Sequence, residues 1–200
     1  MRVLVLTNNS VSLPLIKWLG EREDVTVREE NITPSDLQAM RPDRIISYAY
    51  RHILEQKVIG ILPGNFINLH IALLPYNRGA DPNAWSFLDG TPSGVTIHLI
   101  DAGIDTGPIL LQRAVAFDEA RDTLAGTYFA LHAEIQNLFI ENWVAVRNGA
   151  IAPKRQAPGG SYHRSEELAG LKQQLMGAEG WNVPIRTFRE RYRQLRRQAS

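Results

Sequence analysis

No cysteine occurs among the 200 residues, and that absence removes several kinds of protein at once. A disulfide framework, a thiolate nucleophile and a Cys-type zinc site are all excluded, and a reducing compartment, by default the cytoplasm, is the expected setting. Neither sign of charge is in excess: the formal net charge of +1 leaves no global field to hold nucleic acid, so no nucleic-acid partner is expected. Only the last stretch, with Arg186, Arg189, Arg191, Arg193, Arg196 and Arg197, is locally basic, and it reads as a solvated helix. Long apolar runs are missing too. The opening Val3-Leu4-Val5-Leu6 is too short for a signal peptide or a membrane span, so neither targeting nor a membrane partner is expected. The motif inventory has its own gaps: no P-loop, no Gly-rich dinucleotide fingerprint after the first strand, and no His-Glu-x-x-His pair.

An apolar content of 44% is enough for one well-cored domain and an appendage. A short strand at residues 3–7 leads through Thr7-Asn8-Asn9-Ser10 into helical spacing at Val11, Leu15, Ile16 and Leu19. Val25 and Val27 alternate as a second strand, residues 34–40 suit a helix capped by Thr33, and residues 44–48 give a third strand. A helix over 53–61 and a strand over 66–71 follow, then a loop at 77–83 and a short helix beginning at Trp85. Strands at 94–101 and 108–115 read as a hairpin with an elaborated loop, and residues 123–146 as the longest helix, with His132 on its exposed side. The fold class is therefore α/β: a Rossmann-like, mostly parallel sheet flanked by helices, with a C-terminal hairpin and long helix, plus a short helical tail. The Pro/Gly/Ser-rich passage at 153–161 divides a catalytic domain, 1–152, from a short C-terminal extension, 153–200.

Chemistry concentrates in two strands. In Phe66-Ile67-Asn68-Leu69-His70, residues two apart share a face, so Asn68 and His70 project side by side from a buried strand. Thr96 and His98 do the same in Gly94-Val95-Thr96-Ile97-His98, which breaks into the acidic, Gly-rich loop 101–107 carrying Asp105. Two readings of the set Asn68, His70, His98 and Asp105 are open. Two imidazoles and a carboxylate could hold zinc or iron in a metal-dependent hydrolase. Alternatively, Asn68 and His70 could donate hydrogen bonds to the oxygen of a carbonyl under attack while Asp105 orients the imidazole and helps move a proton. Asn is a poor metal ligand and a good oxyanion donor, which favours acyl chemistry and no metal. The turn at Asn8, Asn9 and Ser10 could place backbone amides near an anionic substrate.

Asn68-x-His70 with Leu73-Leu74-Pro75, Arg78-Gly79, Gly94 to His98, and Asp101-x-Gly103-x-Asp105-Thr106-Gly107-Pro108 resembles the formyltransferases that use N10-formyltetrahydrofolate. The likeness is strongest over 47–112 and looser over 1–150. It implies a catalytic trio of Asn68, His70 and Asp105 with His98 behind it. It also implies a pterin site walled by Arg51, His52, Ile53 and Leu54 on one side and Asp101, Ala102, Gly103 and Ile104 on the other. Methionyl-tRNA formyltransferases resemble this core but add a C-terminal barrel, for which the residues past Gly160 leave no room. The 76–85 loop, with Asn77, Arg78, Asp81 and Trp85, and the Gly160-Ser161-Tyr162-His163 segment are most like bacterial sugar N-formyltransferases. The implied partner is a nucleotide-linked deoxyamino sugar, a precursor of surface polysaccharide such as lipopolysaccharide, contacted by those four residues. A glycinamide ribonucleotide acceptor, a formyltetrahydrofolate hydrolase and a non-catalytic binder stand as alternatives, and a homodimer is left open. One departure is local: Ile71-Ala72 stands where the family often has a Ser before Leu-Leu-Pro.

Overall fold

Four strands of parallel pairing set the frame. In the computed structural model, which describes residues 1–198, β1 (Arg2–Leu6) lies between β2 (Asp24–Arg28) and β3 (Arg44–Tyr48), and β4 (Phe66–His70) pairs with the other side of β3. Strands β1, β3 and β4 are apolar almost throughout because a parallel strand is covered on both faces; β2, at the sheet edge, leaves Val27 exposed. The helices between them begin and end on local signals. Helix α1 (Leu13–Gly20) follows a single 3-10 turn at Ser10–Ser12 capped by Asn9, whose side chain accepts from the Val11 amide. Helix α2 (Pro34–Met40) starts on the Thr33 cap that the sequence predicts, extended into a capping box in which Thr33 and Asp36 satisfy each other's backbone amides. The predicted helix at 53–61 shrinks to one turn, α3 (Gln56–Ile59), closed by Gly60; residues 51–55 stay irregular.

A short strand, β5 (Arg78–Gly79), and helix α4 (Pro82–Leu88) precede β6 (Gly94–Leu99), which returns antiparallel to β4. Proline at the first helical position starts α4 three residues before the expected Trp85. Strand β7 (Ile109–Ala114) completes the order β2-β1-β3-β4-β6-β7, a mixed sheet flanked by helices, so the expected hairpin of β6 and β7 is present. After the 24-residue α5 (Leu124–Arg147) come β8 (Tyr162–His163), which pairs with β5, then α6 (Ser165–Ala169), α7 (Lys172–Met176), a 3-10 segment at Gly177–Asn182 and α8 (Ile185–Gln198). Among the described residues no helix is long and apolar enough to cross a membrane.

Two compact units emerge, and they interleave along the chain. The first comprises 1–70, 96–112 and 135–156; the second comprises 71–95, 113–134 and 157–200, of which Ala199 and Ser200 lie outside the described residues. The first unit's core gathers Leu4, Leu6, Leu37, Ile45, Val58 and Phe66. The second unit's core joins Trp85 and Phe87 of α4 to Leu168, Leu175, Ile185 and Phe188. The basic C-terminal helix is therefore not a solvated tail. Its Ile185 and Phe188 are fully buried, while Arg189 pairs with Glu119 and Arg191 with Glu179 on the outer side. Arginine at helical spacing hides a narrow apolar stripe from any reading based on charge alone.

His132 also departs from expectation. It is 5% exposed and packs edge-on against Tyr128 with ring centroids 4.3 Å apart, because positions four apart on α5 share the stripe turned inward. Burial pushes its imidazole pKa down to about 4. A histidine whose folded pKa lies below its unfolded value loses stability as pH falls, beginning near the unfolded value of about 6.5 and levelling off below about 4. Acidification from pH 7.5 to pH 5 should cost about 2 kcal/mol through this residue. Urea denaturation at the two pH values should show that loss in the parent and a markedly smaller one in His132→Gln; an equal loss in both would remove His132 as its source.

Candidate active site

Strand β4 is central in the sheet, and its Asn68 and His70 lie opposite His98 and Thr96 of β6. All four point to the sheet face expected from the alternation, and the loop after β6 brings Asp105 to them. Asn68 Nδ2 donates to Asp105 Oδ1 at 3.0 Å and lies 3.1 Å from His98 Nε2. The other carboxylate oxygen, Oδ2, is 3.6 Å from His70 Nδ1, an ion-pair distance when the imidazole is protonated. His98 Nδ1 faces the Leu99 carbonyl oxygen at 2.8 Å; that oxygen can only accept, so Nδ1 carries the proton and the neutral ring offers Nε2 as an acceptor to Asn68.

The positions of these groups crowd two acceptors against the Asn68 amide nitrogen. His98 Nε2 and Asp105 Oδ1 are themselves only 3.4 Å apart. With legs of 3.0 and 3.1 Å, the angle they subtend at the amide nitrogen is roughly 70°, far short of the roughly 120° between its two N–H bonds. Two N–H bonds straddling that angle would each lie about 25° off line to one acceptor, within hydrogen-bonding tolerance, so each N–H can serve one acceptor. A half-buried amide beside an imidazole that faces a carboxylate can stabilise an oxyanion and shuttle a proton.

The loop that delivers Asp105 is tightly specified. Asp105 sits at φ 53°, in the left-handed region that costs a non-glycine residue about 1–2 kcal/mol. A Cβ at Gly107 would collide with the Leu99 carbonyl oxygen, and one at Gly103 with the Thr106 hydroxyl, so both glycines are required by close approach. Asp101 closes the turn by accepting from the Gly103 amide at 3.1 Å and from Thr106 Oγ1 at 2.6 Å. Gln156, which the sequence reading passed over, donates from Nε2 to the carbonyl oxygens of Asp105 (2.7 Å) and Gly107 (2.9 Å). Nothing near Gln156 in sequence signals this; the only hint is a polar residue in the passage read as a linker.

Other predicted site residues divide into two groups. Ile53 and Ile104 are exposed apolar side chains, 72% and 39% accessible, and Arg51, Ala102 and Gly103 are exposed beside them in the chain, available to a ligand; Asp101 and Leu54 are half-buried. His52 and Asn8 are engaged structurally: His52 Nε2 lies 3.1 Å from the Glu29 carbonyl oxygen, while Asn8 donates to that same oxygen and accepts from the Arg51 amide. Asn9 accepts from the Val11 amide as the cap of the 3-10 turn, and Ser10 beside it is exposed.

In the second unit, Asn77 and Trp85 are buried. Asn77 is wholly buried, donating to Thr91 Oγ1 at 2.8 Å and accepting from Ser161 Oγ at 3.1 Å, and Trp85 lies flat on His163 with ring centroids 3.9 Å apart. Burial was invisible from sequence because Ser161 and His163, which cover them, lie about 80 residues further on. The pairing of β5 with β8 shows why the 76–85 loop and the 160–163 segment occur together: they form one sheet fragment. Arg78 is half-buried in β5, and Asp81 lies at the start of α4 at φ 50° with its carboxyl half-buried. Among the described residues no three His, Cys, Asp or Glu side chains are disposed to hold a metal ion, and both ring nitrogens of His98 are already engaged.

A Rossmann-like sheet carrying an amide, an imidazole and a loop carboxylate on the carboxyl side of its central strand defines an acyl-group transferase site. The chain belongs to the formyl transferase family, whose characteristic domain matches residues 15–142. The methionyl-tRNA formyltransferase of Anaeromyxobacter dehalogenans is 37% identical over 160 residues, covering 78% of this chain and 49% of that one. The chain thus spans about half the length of the curated relatives it matches. Among solved structures, the formyltransferase PseJ from Anoxybacillus kamchatkensis, in complex with UDP-4,6-dideoxy-4-formamido-L-AltNAc and tetrahydrofolate, superposes with a TM-score of 0.85 at 37% identity, covering 94% of this chain and 97% of that one. A sugar N-formyltransferase from Shewanella shares the fold at 21% identity, with a TM-score of 0.74 over 96% of this chain and 87% of its own.

The Gln156 clamp can be tested without reference to activity. Gln156→Leu should destabilise the protein by about 1–3 kcal/mol, since two carbonyl oxygens lose their donor. Amide hydrogen exchange at 103–107 should accelerate well beyond that of β4. Unchanged exchange in the loop would show that Asp105 is held by other means.

Proposed function

We propose that the protein transfers the formyl group of N10-formyltetrahydrofolate to the amino group of a nucleotide-linked deoxyamino sugar, as a step toward a surface polysaccharide. The likeness to PseJ carries this reading: the match runs through nearly the whole of both chains, and that protein is seen with a UDP-linked formamido sugar and tetrahydrofolate. The exposed Ile53 and Ile104, with the uncluttered backbone of 102–104, suit a flat, largely apolar pterin ring, so residues 51–54 and 101–104 would hold the folate. When bound, the folate supplies an activated formyl carbon.

The chain's own groups account for the rest. As the neutral amine adds to that carbon, negative charge gathers on the formyl oxygen, and an N–H of Asn68, turned from one of its present acceptors, can donate to it. His70 in its protonated form can donate from one ring nitrogen to the Asp105 carboxylate and from the other to the same oxygen. Asp105 accepts the proton that the amine loses, directly or through water, and as the adduct collapses the carbonyl re-forms, the bond from the formyl carbon to N10 breaks, and N10 takes up that proton. Because the charge exists only in the adduct, these contacts accelerate turnover without tightening ground-state binding.

A specific observation favours a second acceptor. The curated sequence relatives are methionyl-tRNA formyltransferases at similar identity, so an aminoacyl-tRNA amine is the competing substrate. Purified protein with N10-formyltetrahydrofolate should formylate a UDP-linked 4-amino-4,6-dideoxy sugar and leave methionyl-tRNA unmodified; the reverse outcome overturns the sugar reading, and formate release without any amine identifies a hydrolase. Asn68→Ala should lower kcat by about a hundred- to a thousandfold with little change in folate affinity. Asp105→Asn should abolish the acid limb of the pH–rate profile, and parental rates in either variant would remove these residues from the chemistry.

A further inference from the structure

The parallel ladder of the first unit stops at Leu6, whose register partners are Arg28 on β2 and Ser47 on β3. Past that point the three chains leave the sheet, and their backbone groups lose the regular partners a ladder supplies. Asn8 fills the gap. Its backbone amide donates to the Ala49 carbonyl oxygen at 3.2 Å, its side-chain Nδ2 donates to the Glu29 carbonyl oxygen at 2.7 Å, and its Oδ1 accepts from the Arg51 amide at 3.1 Å. One residue thus ties the chain leaving β1 to those leaving β2 and β3. The side-chain amide fits only one way round, because the Glu29 carbonyl can only accept and the Arg51 N–H can only donate.

The segment held in this way is under strain. Ala49 stands at φ 51°, a left-handed conformation that a residue with a Cβ keeps only when its surroundings impose it, and it turns the chain out of β3 just before residues 51–54. Tyr50 Oη donates to the Glu30 carbonyl oxygen at 2.6 Å, and His52 Nε2 faces the Glu29 carbonyl oxygen at 3.1 Å, the two rings meeting edge to face with centroids 5.1 Å apart. These rings brace the side of the segment, while Asn8 grips its backbone on both sides of Tyr50, at Ala49 and at Arg51. Two positions beyond Arg51 stands the exposed Ile53. Strain of this kind gathers where a fold keeps a surface ready for a ligand.

Resting on the folate reading above, in which residues 51–54 hold the formyl donor, we infer that Asn8 is a positioning residue for donor binding. It acts through Ala49 and Arg51, fixing the backbone that meets the folate before the folate arrives. Without that grip the segment must be ordered on binding, and the lost freedom appears as weaker affinity for the donor. Asn68, His70 and Asp105 hold one another through contacts that do not involve Asn8, so turnover at saturating donor is kept.

The test compares the parent with Asn8→Ala and with Asn8→Asp, which keeps an acceptor for the Arg51 N–H and gives up the donor to Glu29. In ligand-free protein the Arg51 amide should exchange hydrogen about tenfold faster in Asn8→Ala than in the parent, with β1 and β3 unchanged, and near the parental rate in Asn8→Asp. Titrated calorimetrically, tetrahydrofolate should bind Asn8→Ala about tenfold more weakly than the parent and Asn8→Asp within about threefold of it. In formyl transfer, Asn8→Ala should raise KM for N10-formyltetrahydrofolate by a similar factor and leave kcat within about twofold. Parental exchange at Arg51 or parental tetrahydrofolate affinity in Asn8→Ala overturns the assignment and leaves the folate reading standing. So does Asn8→Asp binding as weakly as Asn8→Ala, or a fall in kcat with faster exchange throughout β1 and β3, the mark of a merely structural role. A parent that binds no tetrahydrofolate overturns the folate reading and the assignment with it.

Discussion

One carboxylate holds the candidate site together. Asp105 accepts from Asn68 through one oxygen and faces His70 with the other, so it touches the amide and the imidazole at once. Reaching that position requires a left-handed backbone at an aspartate, an unfavourable conformation of about 1–2 kcal/mol. Two hydrogen bonds from Gln156 to the loop carbonyls, each contributing about 0.5–1.5 kcal/mol, are of the size needed to offset it. The strained residue, the two glycines and the distant glutamine are thus one device. Loosening any of them would leave the chemistry-bearing side chains present but misplaced, and displacement of an ångström is enough to forfeit much of an oriented site's advantage.

That device lies wholly in the first compact unit, which also carries the 51–54 and 101–104 segments. The second unit contributes different material: the β5–β8 fragment, the α4 helix and the C-terminal helices around Trp85 and Phe188. Each has a core of its own, and each depends on segments far apart in the chain. Such an arrangement lets the groups that handle a one-carbon unit stay constant while another body of side chains is altered for a new amine.

Much of the first unit was legible because its signals are short-range. Alternation placed Asn68 and His70 on one face, the Thr33 cap began α2 where predicted, and the Gly-rich acidic loop after β6 delivered its carboxylate to the expected imidazole. What could not be read rests on contacts between remote positions. Gln156 acts on residues about 50 positions earlier, and Asn77 is buried by Ser161 more than 80 positions later. The α8 helix misled for another reason: its arginines dominate composition, while the two residues that decide its packing, Ile185 and Phe188, are separated by three positions and easily outvoted. His132 failed likewise, since one face of a long helix can be inward along its whole length.

The polarity of Asn68 is the last link, and it follows from its neighbours. Turning the amide round would set Oδ1 against the Asp105 carboxylate and the Nε2 lone pair of His98, two acceptor–acceptor contacts at about 3 Å with no proton between them. The Leu99 carbonyl forbids His98 from escaping that conflict by changing tautomer, because it requires the proton on Nδ1. A proton on Nε2 would instead point toward Asp105 Oδ1, compete for the oxygen that orients Asn68, and favour the reversed amide. The ring behind Asn68 thus decides which end of its amide faces the carboxylate.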